Sequence, residues 1–303
     1  MRAAAILGLG CSPKALKPFQ SDASVEWRMG MPGAGDEVDV VLLLGGDGTV
    51  HRHLGQLVRL RLPVLVVPVG SGNDFARALG MRRVRDSLQS WQRFCGGAGN
   101  VREIDLGVIS ALDNAGTTAV SRYFCCVAGV GLDGEVAARA NRLPRWLRGH
   151  GGYALSLAPT VWTFSALPMR ILSAAEGDQN RWDIRSERPT LLAAFANTPL
   201  YGGGMRIAPR ARMDDGLLDV CVVGAVDRLR LMRLLPTVYS GRHLEVPEVE
   251  YFQSGLVRVE TEQPLDVYAD GEYVCRTPVE VGVERGVLRV VTGSEAPQGL
   301  ELP

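Results

Sequence analysis

Four stretches of this sequence set carboxylates among glycines. Asp47 lies inside Gly45-Gly46-Asp47-Gly48-Thr49, and Asp74 closes Gly70-Ser71-Gly72-Asn73-Asp74. Asp214-Asp215 precede Gly216, and Asp270-Gly271-Glu272 form a compact acidic turn. Glycine turns that open a helix expose successive backbone N–H groups at the positive end of the helix dipole, which makes an anion cradle. Thr49 adds a hydroxyl to the first of them. Asp47 is the odd member, because a carboxylate in a phosphate cradle repels its ligand. It makes sense there if it holds a metal ion or a water of that ion's shell, or if it handles a proton. The competing reading is an Asp-Gly tight turn with no chemistry.

The other stretches carry open alternatives. Adjacent Asp214 and Asp215 repel each other, and a hard cation with oxygen ligands would relieve that; a hairpin with an Asp-Gly corner explains the same residues. Asp270-Gly271-Glu272 reads as a hairpin tip, or as a site that presents Glu272 from a rigid corner for proton abstraction. Residues 129–134, GVGLDG, read as a glycine turn that opens a helix, whether or not it binds anything.

The elements around these residues follow from hydrophobic spacing. Residues 40–44 are a continuous apolar run, and Val50, Leu54, Leu57 and Val58 recur at helical intervals. Residues 63–67 form a second apolar run, followed by the second glycine loop and another helix start. Two strand–loop–helix units in succession predict parallel strands whose C-terminal ends share a ligand crevice. Residues 3–7 read as the first strand of that sheet, residues 23–27 as one brief strand, 85–95 as a helix and 102–109 as a strand. Beyond them the texture becomes short alternating strands, at 123–127, 169–172, 190–196, 217–223, 257–259, 265–269 and 279–283, which predicts an antiparallel β domain. Helical pieces interrupt it near 136–147, 153–163 and 229–239.

Composition limits the rest. The 303 residues suit about two domains, and an apolar fraction of 46% supplies two cores. Lys+Arg and Asp+Glu both number 33, so no global charge points to nucleic acid. Arg82-Arg83-Arg85 and Arg228-Arg230-Arg233 read as solvated helix faces. The six cysteines lack CxxC spacing and read as buried thiols in a reducing cytoplasm. The first residues hold too short an apolar run for a signal peptide. Residues 151–169 carry no charge, but their prolines, glycine and hydroxyls argue against a spanning helix and for a buried or membrane-facing one. Before them, RANRLPRWLR at 139–148 sets arginines around Leu143, Trp146 and Leu147, the composition of an element at an anionic membrane interface. A solvated helix–loop is the other reading. Gly8-Leu9-Gly10-Cys11-Ser12-Pro13 has proline where a dinucleotide fingerprint needs glycine, so it carries no NAD site.

Taken in order, GGDGT at 45–49, PVGSGNDFARALG at 68–80, IDLG at 104–107, AGVGLDGEV at 128–136, GGGMRIAP at 202–209, DDGLLDV at 214–220 and DGE at 270–272 resemble the diacylglycerol kinase catalytic family, in its soluble bacterial lipid-kinase branch. The resemblance implies a three-layer α/β nucleotide-binding domain like that of NAD kinases and phosphofructokinases, then an antiparallel β-sandwich, with the active site in the cleft between them. It places residues 1–112, with a returning segment at 287–303, in the first domain and 113–286 in the second. It implies ATP and Mg2+ as cofactors and a lipid hydroxyl, of diacylglycerol or a related lipid, as acceptor. Carried over, Gly45, Gly46, Asp47, Gly48, Thr49, Ser71, Gly72 and Asn73 would contact nucleotide. Asp47, Asp74 and Asp105 would form the acidic cluster for the catalytic magnesium, partly through water, and Glu272 would be the base. A structural magnesium would sit on the Asp215 carboxylate and the Arg212 and Leu217 carbonyls.

The sequence departs from the family pattern in three places. His51-Arg52 follow Val50 where the family continues with Asn and Glu, the first loop lacks Asn-Pro-x-x-Gly, and the stretch before GGDGT is short. His53, His150 and His243 lack metal spacing and read as structural. The expected setting is cytoplasmic, peripheral at the inner face of the membrane, with lipid and anionic membrane as partners, no nucleic acid, and a homodimer left open. Two alternatives stand beside the lipid kinase: a kinase of a non-lipid alcohol on the same scaffold, and a catalytically weak nucleotide-binding regulatory protein.

Overall fold

A computed structural model describes residues 1–33, 35–113, 116–142, 160–175 and 178–293. The N-terminal half is built on four parallel strands in the order β2 (Glu26–Met29), β1 (Arg2–Leu7), β3 (Val40–Gly45), β4 (Val64–Pro68). β3 and β4 are buried along their whole length, which explains their unbroken apolar sequences. Gly45 pairs with Pro68, so both glycine loops leave the sheet at the same level on adjacent strands. Helix α1 (Asp47–Leu60) returns from β3 to β4 and buries Val50, Leu54 and Leu57, one stripe at helical spacing. α2 (Asp74–Ala78) and α3 (Val84–Cys95) follow β4. The short stretch after β1 holds a 3₁₀ segment over Pro13–Ser21 and then β2, which begins three residues later than the brief strand expected at 23–27 and overlaps it.

The C-terminal half is two antiparallel sheets face to face. One runs β9 (Asp178–Ser186), β8 (Leu167–Ala175), β13 (Leu256–Thr261), β16 (Val279–Val291), β5 (Val101–Leu112), β6 (Thr118–Phe124). The other runs β15 (Glu272–Arg276), β14 (Asp266–Ala269), β7 (Val127–Gly131), β10 (Pro189–Ala196), β11 (Leu218–Gly224), β12 (Val249–Ser254). Their inner faces supply one apolar core, including Phe124, Val130, Ile171, Phe195, Val220, Val259 and Val281. β16 crosses to the first half, where Val290 pairs in parallel with Val64. A helix α4 (Leu132–Arg142) follows β7, and α5 (Arg228–Val238) follows β11.

The strand expected at 123–127 is two strands, β6 and β7, separated by Cys125-Cys126. Of the glycine turn expected at 129–134 to open a helix, residues 129–131 end β7, Gly131 makes the turn at φ +92°, and 132–134 begin α4. β9 and β12 have no counterpart in the sequence reading: each pairs on one side only, so neither needs an apolar sequence. The expected membrane-facing elements lie mainly in 143–159, outside the described residues. Among the described residues no helix is long and apolar enough to cross a membrane. Cys125, Cys126 and Cys221 are buried, while Cys11, Cys95 and Cys275 are half-buried rather than buried as expected; all six are free thiols.

Candidate active site

The two glycine loops touch back to back. A Cβ on Gly46 would come within 3.0 Å of the Gly70 Cα, and one on Gly70 would collide with the Gly46 backbone, so neither position admits a side chain. Asn73 holds the second loop: it adopts φ +57°, accepts the Gly70 N–H at 2.9 Å and donates to the Gly70 carbonyl at 2.6 Å. Thr49 packs its side chain where a Cβ on Gly45 would stand. The loops form one wall of a cleft of about 470 Å³ whose lining includes Gly46, Asp47, Gly48, Thr49, Ser71 and Gly72. Facing them are Cys126, Tyr201, Gly203, Tyr268 and the Asp270-Gly271-Glu272 turn of the sandwich.

Asp47 starts α1 but spends its carboxylate on α2. Its Oδ1 and Oδ2 accept the N–H groups of Phe75 and Asp74, each at 3.1 Å, so it ties the first loop to the start of the next helix. Burial, then the charge of Asp74, push its carboxyl up to about 6 in spite of those two hydrogen bonds. Asp74 is itself buried, which raises its carboxyl; it accepts the Gly203 N–H at 2.8 Å from the opposite wall and pairs with Arg77 at 3.0 Å. Two carboxylates held above their ordinary range at a glycine cradle constitute a local excess of negative charge, which a divalent cation relieves.

Asp105 is tied to the sandwich region. Its Oδ2 accepts the Gly216 N–H at 2.7 Å and its Oδ1 the Gly286 N–H at 2.8 Å, so each oxygen holds a loop. Its place in the expected Asp47–Asp74–Asp105 cluster, partly through water, stays a proposal. Among the described residues, the one group of three acidic, cysteine or histidine side chains with ligand atoms within 4.8 Å of one another is Cys125, Cys126 and Asp270. That group is a poor metal centre. Burial, the Cys126 thiol and the Asp270 charge hold the Cys125 thiol well above its ordinary value, and metal ligation needs the thiolate.

Asp270 takes the third acidic place at the cleft. It sits at φ +51° in the two-residue turn between β14 and β15, with Gly271 at φ +84°, a pairing suited to Asp-Gly. Its fully buried carboxylate accepts the N–H groups of Cys126 at 2.8 Å and Cys125 at 2.9 Å, and meets His51 Nδ1 of α1 at 3.0 Å. Burial raises the Asp270 carboxyl, but the hydrogen bond and charge of His51 and the two amides outweigh it and hold the group below its ordinary value. For His51, burial works against protonation, and the Asp270 hydrogen bond and charge overcome it and raise the imidazole. The substitution that departs from the family pattern thus bridges the two walls. Sequence reading missed Asp270 because Asp-Gly at a hairpin tip needs no further explanation; the anomalous His51 was the available signal.

Glu272 stands exposed at the rim, with its Oε1 3.0 Å from the place a Cβ on Gly48 would take. Asp215 lies apart from the cleft. Its Oδ1 accepts the Leu217 N–H at 3.0 Å, burial and the nearby charges of Asp105 and Asp214 raise its carboxyl against the pull of Arg212, and the Arg212 side chain pairs with Asp214 at 3.1 Å. A cation there would need backbone carbonyls to complete its shell.

A second, apolar cavity of about 70 Å³ adjoins the cleft. Leu132 and Val136 of α4, Leu231 and Leu235 of α5, and Met205 line it, and Tyr201 belongs to both walls.

Residues 29–109 match the diacylglycerol kinase catalytic domain, and residues 126–292 match the YegS C-terminal NAD kinase beta sandwich-like domain. A diacylglycerol kinase of Mycobacterium tuberculosis (strain H37Rv) is 34% identical over 84% of this chain and 76% of its own length. One from Bacillus subtilis (strain 168) is 26% identical over 86% and 80%. In fold, a diacylglycerol kinase from Bacillus anthracis superposes with a TM-score of 0.66 at 17% identity, covering 98% of both chains. An NAD kinase from Archaeoglobus fulgidus in complex with ATP superposes at 0.56 and 12%, covering 99% of this chain and 97% of that one. The α/β half with its glycine cradle, the sandwich that closes over it and these relatives agree, and the chain belongs to the diacylglycerol kinase family of lipid kinases.

Proposed function

We propose that this lipid kinase transfers the γ-phosphate of ATP, with magnesium, to the hydroxyl of diacylglycerol or a related lipid. The observation that carries the reading is the junction at Tyr201, where an acidic, glycine-walled cleft meets an apolar cavity. A phosphoryl donor and an acyl chain need those two environments side by side.

The glycine loops fit phosphate, since Gly46 and Gly70 leave the backbone bare where side chains would block approach. Asp47 and Asp74 fit a magnesium ion, which is held by one or two carboxylates and keeps several waters. When bound, magnesium would supply charge neutralisation across the phosphates. Asp270 does not serve as a free ligand, because two amides and His51 already occupy it. It fixes the turn that carries Glu272, and Glu272 at the rim takes the hydroxyl proton. The apolar cavity is far below the roughly 300 Å³ or more of a small-molecule pocket, so a chain enters only as α4 and α5 move apart. Each methylene it buries contributes about 0.8 kcal/mol.

The test is turnover of radiolabelled ATP against a panel of lipids with and without magnesium, read by thin-layer separation of products. A phosphorylated diacylglycerol is the expected product. Turnover only on a water-soluble alcohol, or nucleotide binding without transfer to any lipid, would replace this reading with one of its two rivals.

A further inference from the structure

Arg82, Arg83 and Arg85 read in the sequence as a solvated face, but they border a concavity. It has a volume of about 1320 Å³ and lies between α3 with the residues before it and the 199–206 stretch of the sandwich. Its wall also carries Arg77, Arg93 and Arg206, against a single carboxylate among the described residues, Asp86. That carboxylate is already committed. Its Oδ2 accepts the N–H groups of Arg82 at 3.0 Å and Arg83 at 2.8 Å, and its Oδ1 lies 3.5 Å from Arg85 Nε. Arg77 is held by Asp74 on the cleft side. Arg82, Arg83, Arg93 and Arg206 have no carboxylate partner among the described residues.

Four unpaired guanidinium groups around one hollow repel each other, in a chain whose formal charge is zero. A concave low-dielectric wall focuses such a field and concentrates anions. The planar guanidinium fork matches phosphate oxygens two at a time. The volume exceeds what a bare phosphate fills and lies above the range of about 300–1,000 Å³ for small-molecule pockets. The occupant is therefore a phosphate attached to a larger body.

We propose that this cavity is a second binding site, distinct from the catalytic cleft, for a phosphate-bearing ligand anchored by Arg82, Arg83 and Arg206. The phosphate belongs either to a phospholipid headgroup or to a soluble phosphate ester, and both present the same oxygens to the arginines. The full chain is titrated with glycerol 3-phosphate and with inorganic pyrophosphate by calorimetry, the cleft filled by a non-hydrolysable ATP analogue. It is also floated with phosphatidylcholine vesicles with and without phosphatidic acid. At least one of these probes binds. The double variant Arg83→Glu with Arg206→Glu weakens it by roughly tenfold or more, while nucleotide affinity and melting temperature stay at wild-type values. Arg83→Gln with Arg206→Gln gives the same direction should the reversal disturb folding. Binding of the soluble probes assigns a soluble ester, and binding only to the phosphatidic acid vesicles assigns a headgroup. Failure of all probes to bind, or equal binding by wild type and both double variants, overturns the proposal. None of these readouts uses turnover, so they stand apart from the choice of acceptor.

Discussion

Asp47→Asn separates what the cradle carboxylate does for catalysis from what it does to the fold. In the native protein this carboxyl ionises at about 6 instead of its ordinary 3.8. The folded state therefore binds more protons than the unfolded one between those values, and stability falls as pH rises through that window. At about 1.4 kcal/mol per pH unit, holding the ionised form at neutral pH costs the fold about 3 kcal/mol. Asparagine removes that cost. It also offers one oxygen where Asp74 and Phe75 donate two N–H groups, and one buried amide left unpaired costs about 1–3 kcal/mol. The two effects nearly cancel at neutral pH.

They do not cancel at low pH, where the wild-type carboxyl is already protonated and asparagine has little to relieve. The stability of Asp47→Asn relative to wild type should therefore rise by about 2 kcal/mol from pH 4.5 to 7.5, a shift of a few degrees in melting temperature. The two charges repel, so loss of the Asp47 charge also relieves Asp74, which adds in the same direction. Turnover on lipid should fall by several orders of magnitude at every pH, because phosphoryl transfer depends on electrostatic positioning. Melting curves of both proteins across that range, without nucleotide or metal, give the result. A stability difference that does not move with pH would refute the claim that Asp47 is held ionised against its environment.

Three further outcomes follow from neighbouring groups. Asp105→Ala should lower stability by about 3 kcal/mol or more, since two N–H groups lose a charged acceptor, while turnover per folded molecule stays within about tenfold; loss of turnover with an unchanged melting point would instead assign Asp105 to the metal cluster. His51→Gln should destabilise by about 1–3 kcal/mol below pH 6.5 by leaving the buried Asp270 short of its cation. Because the imidazole is raised by that pairing, the difference from wild type should shrink as pH rises through its folded value above 6.5, and chemical denaturation at several pH values reads it. If the Asp215 turn holds a cation, chelator should lower the wild-type melting temperature and leave Asp215→Asn unaffected; identical curves with and without chelator would leave it as a turn alone.

The parallel half of the fold was legible because its signals are local. An apolar run such as residues 40–44 has few other uses, and a glycine turn followed by Val50, Leu54 and Leu57 at helical spacing can hardly be anything but a strand–loop–helix unit. The same locality explains the cradle residues, whose work is done by backbone within a few positions. Asp105 shows where this ended. Its neighbours, Ile104 and Leu106-Gly107, say only that it lies on a strand, and motif order suggested a metal. Its observed partners arrive from far along the chain, Gly216 and Gly286 from 111 and 181 residues away, at 2.7 and 2.8 Å. No periodicity in the sequence encodes those meetings.

The pairing of His51 with Asp270 spans 219 residues and shows how a departure from a family pattern is to be weighed. Beside a phosphate cradle, a histidine in place of Asn raised the question of altered chemistry. In the structure His51 reaches from α1 to the sandwich, and its partner carboxylate is wholly buried. A buried carboxylate with two amides and a weak thiol donor would be poorly satisfied; the imidazole completes it and joins the two walls of the cleft. The turn it fixes carries Glu272 two residues on, so the substitution bears on where Glu272, the proposed base, stands at the cleft. His51 thus has a structural partner that accounts for it without altered chemistry, and turnover on lipid is what separates the kinase from the weakened nucleotide-binding alternative.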